Sequence, residues 1–181
     1  MTAFEFVFPL FGLLVGLSYT EMLAGLARIL KSSHRIRIGW LIPALGLLVL
    51  INLTIFWFGT WQMRGMAAPT MGALLLILLI GGLYFLAASL IFPNPGEEGT
   101  DLDAHFFATR RRVIGAIAFC NIFALALVAS EAEWRMTPLW WIANSLFLAL
   151  LAAAALAPGK RVVLGALAIM IAMHAIDISF G

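Results

Sequence analysis

Apolar runs of about 20 residues, each long enough to cross a bilayer as a helix, alternate with short polar segments along this chain. Six runs are legible, over residues 6–30, 40–61, 71–92, 113–130, 137–156 and 162–180. Between them lie the polar segments 31–39, 64–69, 93–112, 131–136 and 158–161. Lipid admits only helices or closed barrels, because every backbone amide and carbonyl must be satisfied without water, and runs of this length suit helices. The pattern predicts an all-α integral membrane protein, a bundle of six transmembrane helices forming one domain over residues 1–181.

The longest polar segment carries a further element. Pro93 and Pro95 stop the third run, since proline has no amide donor to continue a helix. Thr100 followed by Asp103 resembles a capping box, with aspartate in place of the usual longer acceptor. Leu102, Phe106 and Phe107 beside Arg110, Arg111 and Arg112 then predict a short amphipathic helix at the interface, running into the fourth span.

Composition agrees with this reading. Hydrophobic residues make up 64% of the chain and charged residues 11%, whereas soluble domains sit near 45–50% and 25%. The net charge of +2 is small, and the basic residues are spread between apolar runs instead of clustering with aromatics. Nucleic acid is therefore not an expected partner. Basic residues instead indicate orientation. Nine Lys and Arg flank the first, third and fifth connections (Arg28, Lys31, Arg35, Arg37, Arg110, Arg111, Arg112, Lys160, Arg161), against Arg64 and Arg135 on the other side. The positive-inside rule places those three connections in the cytoplasm and both termini outward, as fits a bacterial inner membrane. Trp57, Trp61, Trp134, Trp140 and Trp141 gather at the opposite, outer interface, as an aromatic belt would. The first residues lack the positive stretch of a secretory signal, so the first span is expected to be retained.

Candidate chemistry follows from depth. At about 1.5 Å of rise per residue, Glu21 lies about 10 Å above the cytoplasmic boundary, and Tyr84 and Asn121 about 13 Å. With Arg28 they define a candidate intramembrane polar site. Ser18, Glu21, Gly25 and Arg28 follow 3-4-3 spacing along one helix face. His174, with Asn52 and Asn144 at similar height, lies about 20 Å up, and Asp177 three residues beyond completes a candidate outer polar pair. An acid at membrane depth is a functional-site hypothesis by default: Glu21 as a protonatable group on a proton or cation path. Its structural alternative is a hydrogen-bonded residue that fixes helix packing. Gly12 and Gly16, continued by Thr20 and Ala24, give the small-residue spacing that lets helices approach closely, within the chain or between copies. Gly81-Gly82 marks either a break or a close-packing point in the third run.

Other chemistry finds no support in the residues. Asp101, Asp103 and His105 alternate, so on a helix they would not converge on a metal. Only His174 among the three histidines is well inside a run, which leaves haem without a matched pair of axial ligands. Lys31 and Lys160 fall between runs, out of place for a Schiff base, and Cys120 reads as a buried structural thiol. Hydrolase, metalloprotease, P-loop and dinucleotide motifs are absent. Neither catalysis, cofactor nor metal is expected. Two three-run halves of opposite orientation would suit an inverted-repeat transporter, but they share no convincing sequence match. The expected function is that of a structural or accessory membrane subunit binding lipid, membrane-protein partners or its own copies. The alternative is a small proton- or cation-coupled transporter or channel using Glu21.

Overall fold

The computed structural model describes residues 3–31, 39–62, 71–93, 101–130 and 137–180, apart from the side chains of 3–7, 71, 73, 74, 127, 130 and 177–180. Among the described residues the chain forms six α-helices and no strand. These are α1 (Ala3–Lys31), α2 (Leu41–Gln62), α3 (Met71–Ile91), α4 (Leu102–Ser130), α5 (Pro138–Leu156) and α6 (Lys160–Phe180). Three stretches, Phe8–Lys31, Leu41–Gln62 and Pro138–Leu156, are long and apolar enough to cross a membrane, and Leu75–Ile91 is a shorter apolar helix. The basic residues expected at Arg35, Arg37, Arg64 and Arg135, together with Trp134 and Thr100, lie outside the described residues.

Local chemistry sets the helix ends. Thr137 caps α5, its hydroxyl accepting from the Trp140 amide at 3.2 Å, and Pro138 occupies the first turn, where its missing donor costs nothing. Ala157 leaves the helix in extended conformation ahead of Pro158. At the start of α4 the cap is Asp101. Its carboxylate accepts from the Asp103 amide at 2.9 Å and its carbonyl from the His105 amide at 3.0 Å. Asp103 is thereby released for a partner elsewhere. The amphipathic segment expected before the fourth span is the first third of α4, with no break between the two. Pro43 stands at the third position of α2 and leaves it continuous, because that amide has no intrahelical acceptor.

Helix α2 lies at the centre, packed on α1, α3, α4 and α6, while α5 packs on α4 and α6. Leu41, Ile42, Leu45, Leu48, Val49 and Leu53 are its buried apolar side chains. On α1 the buried positions are Phe11, Val15, Ser18, Met22, Gly25 and Ile29. That alternation of four and three is one face of a helix, and it packs chiefly on α3. Two glycines make this approach possible. A side chain at Gly81 would meet Leu14 at 3.0 Å, and one at Gly25 would run into the Phe92 ring. Gly81 is thus a close-packing point, and α3 passes through Gly81-Gly82 unbroken.

The entry to α2, the end of α3, the start of α4, the end of α5 and the start of α6 meet at one end of the bundle. Asp103 packs on Gly39 at the entry to α2, where an added Cβ would strike its carboxylate, and it pairs with Lys160 at the start of α6. His105 Nε2 lies 3.3 Å from the Leu90 carbonyl at the end of α3. Arg110 is buried and donates through Nη1 to the carbonyls of Ala154 (3.2 Å) and Ala157 (2.6 Å). It thereby satisfies carbonyls that the end of α5 leaves without partners, with a cation at the negative end of the helix dipole. Its guanidinium also stacks 4.5 Å from the Phe107 ring centroid. Burial, and then the neighbouring charge of Arg111, hold its pKa below the ordinary arginine value. The opposite end is aromatic: Phe8 of α1 lies 5.7 Å from Trp57 and 5.5 Å from Trp61 of α2, and Trp140 and Trp141 meet at 5.0 Å.

Candidate functional site

The residues expected to share one polar layer divide into two groups. Glu21 and Arg28 pair with each other along α1, Nη2 to Oε1, at 3.4 Å. Their side chains retain 32% and 39% exposure, on the flank of the face that packs against α3. Two helical turns separate them, so the arginine reaches back along its own helix. Ser18, from the same 3-4-3 series, is fully buried and donates to the Leu14 carbonyl at 2.9 Å. Tyr84 and Asn121 belong to the other group, and among the described residues no hydrogen bond links the two.

That second group is a chain of polar side chains through the middle of the bundle, with Asn52 of α2 as its hub. Asn52 is buried, and its amide nitrogen donates to the Leu48 carbonyl at 3.0 Å. This contact fixes which end of the amide is nitrogen, since a flipped amide would set oxygen against oxygen. The Asn52 oxygen then accepts from Nδ2 of Asn121 on α4 at 3.2 Å, and Asn121 is oriented in turn by the Ile117 carbonyl at 2.9 Å. On the other side, Nδ2 of Asn52 lies 3.4 Å from Nε2 of His174 on α6. With the amide so oriented, Nε2 is the acceptor of that contact. Tyr84 of α3 is buried beside the Phe56 ring at 5.7 Å, next to Asn121. Three helices thus contribute one hydrogen-bonding group each, with Tyr84 of a fourth beside them.

The depth estimate placed Asn52 level with His174, and the two meet. It set Asn121 about 7 Å lower by helical rise, yet Asn52 spans the gap. Sequence reasoning noted Asn52 only as a height marker. Its signal was an amide inside a strongly apolar run, where an unpaired polar group is costly.

His174 also packs against Phe147 of α5, with ring centroids 5.0 Å apart. Asp177 follows on α6, and its side chain lies outside the described residues. Asn144 binds its own helix, donating to the Trp140 carbonyl at 2.9 Å. Gly12 and Gly16 do not pack against another helix of this chain, since a Cβ on either would meet nothing within 4 Å. They open instead, with Val15, Tyr19, Thr54 and Trp57, onto a groove of about 220 Å³ between α1 and α2. Along its floor Tyr19 bonds the Leu50 carbonyl at 3.1 Å and the Thr54 hydroxyl. Close packing inside the chain falls to Gly25 and Gly81 instead.

The alternating Asp101, Asp103 and His105 leave in three directions, to the helix cap, to Lys160 and to the end of α3. Among the described residues no group of three metal-ligating side chains occurs. Cys120 is buried, its thiol 3.8 Å from the Ile80 carbonyl. No family profile, no curated protein and no solved structure matches the chain.

Proposed function

We propose that the protein is a six-span membrane protein with a structural or accessory role, holding a preformed bundle surface to lipid, to a membrane-protein partner or to copies of itself. The observation that carries this reading is the disposition of Glu21. The deepest acid by helical rise is paired with an arginine of its own helix and stands outside the interior polar chain. Inside, the amides of Asn52 and Asn121 are held by backbone carbonyls of their own helices and by each other. Asparagine is a poor proton carrier, since relaying a proton through an amide needs a high-energy tautomer. The chain has the character of a lock between helices, not of a wire.

The proposed orientation puts both termini outside, with the first, third and fifth connections in the cytoplasm of a bacterial inner membrane. The meeting of the described helix ends that flank those connections at one basic end, opposite an aromatic end, supports it. Single cysteines introduced at positions 66 and 98 in a Cys120→Ala background should label from opposite faces in sealed vesicles.

The decisive assay is flux. Proteoliposomes carrying wild type or Glu21→Gln, at matched insertion, are followed with a pH-sensitive dye and with monovalent-cation indicators. The structural reading predicts no protein-dependent flux in either. A wild-type flux abolished by Glu21→Gln would instead establish the proton- or cation-coupled transporter or channel using Glu21.

A further inference from the structure

Among the described residues, the basic end of the bundle holds more positive charge than its acidic side chains neutralise. Of the cations there, Arg110 is occupied by the carbonyls ending α5, Lys160 by Asp103 and Arg28 by Glu21. Arg111, Arg112 and Arg161 are exposed, and among the described residues they have no hydrogen bond or ion pair. Arg161 moreover sits in the first turn of α6, the positive end of a helix dipole, where a cation is disfavoured unless an anion lies nearby. The Arg110–Ala157 bond and the Lys160–Asp103 pair hold the starts of α4 and α6 at one level, so the three free guanidinium groups are carried together.

Apolar exposure fixes what lies at that level. Leu156 and Val162 are 64% and 57% exposed immediately beside Lys160 and Arg161. Trp40, next to the Gly39 that Asp103 covers, is 73% exposed. Exposed aliphatic side chains, an outward indole and unpaired arginines within one layer are what the boundary between acyl chains and headgroups selects.

We propose that this end of the bundle, through Arg111, Arg112 and Arg161, binds the phosphate of anionic lipid headgroups in the facing leaflet. Guanidinium matches phosphate oxygens with paired, charge-assisted hydrogen bonds, and an anion there would also offset the charge at the start of α6. The proposal rests on the membrane-spanning reading above.

The test reconstitutes the full chain in bilayers of phosphatidylcholine with a minor fraction of phosphatidylglycerol. It then extracts the protein in mild nonionic detergent and measures the ratio of the two lipids that remain bound. Wild type should enrich phosphatidylglycerol several-fold over the bulk ratio. Arg111→Gln/Arg112→Gln/Arg161→Gln should return to the bulk ratio, and the corresponding triple lysine variant should keep most of the enrichment. Inorganic phosphate at millimolar concentration should not displace the lipid. Displacement by phosphate would assign the surface to a free anion and overturn the lipid proposal. A wild type without preference, or a glutamine variant that keeps it, would overturn it as well, leaving arginines that serve topology alone. Retention in pure phosphatidylcholine bilayers after alkaline washing is the control. A protein retained there without preference loses only this proposal, whereas one retained in no bilayer loses the membrane reading too.

Discussion

The Glu21–Arg28 pair and the Asn52 chain are both polar features in an apolar protein, and they do different things. The first is formally ionic, joins two residues of one helix and stays about one-third exposed. The second has no ion pair among its described contacts, is centred on a buried asparagine and ties together α2, α4 and α6. An ion pair within one helix contributes little to tertiary structure, since both partners are held together whether or not that helix is docked. A shared amide contact between helices is lost when they separate, and its groups then stand unpaired among apolar neighbours. Formal charge is therefore a poor guide to which polar residues hold this bundle together.

Substitutions sharpen the contrast. Asn52→Leu removes the hub and should lower unfolding stability in mild detergent by about 2 kcal/mol, because His174 and Asn121 both lose a partner. Gly25→Ala should cost about 1–2 kcal/mol by driving a methyl into the Phe92 ring. Gly16→Ala meets open space and should be neutral or stabilising by up to about 1 kcal/mol through helix propensity. If Gly16→Ala instead weakens self-association on size-exclusion chromatography, the groove beside α1 is an interface between copies. Glu21→Gln should change stability least, by about 0.5 kcal/mol or less, as expected of a partly exposed pair at 3.4 Å. A Glu21→Gln loss exceeding that of Asn52→Leu would break the contrast outright.

Much of this architecture was legible in the sequence. Apolar run length located all six helices to within a residue or so at most ends, and Pro93, Pro138 and Pro158 punctuate the boundaries. Helix α4 is the exception, beginning at Leu102 where the apolar run begins near Val113. The local pattern assigned Asp103 to a cap, but Asp101 takes that role, and Asp103 turns to Lys160, 57 residues away. No window of local sequence contains such a contact. The glycines teach the same lesson. Gly12 and Gly16 have the spacing for close packing but look outward, and Gly25, assigned to the Glu21 face, is the one against Phe92. Spacing identifies what can pack closely, and only the neighbouring helix decides what does. The Asn52 chain was half-visible, because helical rise gives depth along each helix but neither tilt nor rotation about its axis.

The most direct test is a pair of double-mutant cycles measured by reversible unfolding in the same detergent. One cycle takes Asn52→Leu and Asn121→Leu, the other Glu21→Gln and Arg28→Gln. The account predicts a coupling of about 1 kcal/mol for the interhelical amides and about 0.5 kcal/mol or less for the pair along α1. A larger coupling for Glu21 with Arg28 than for Asn52 with Asn121 would contradict it.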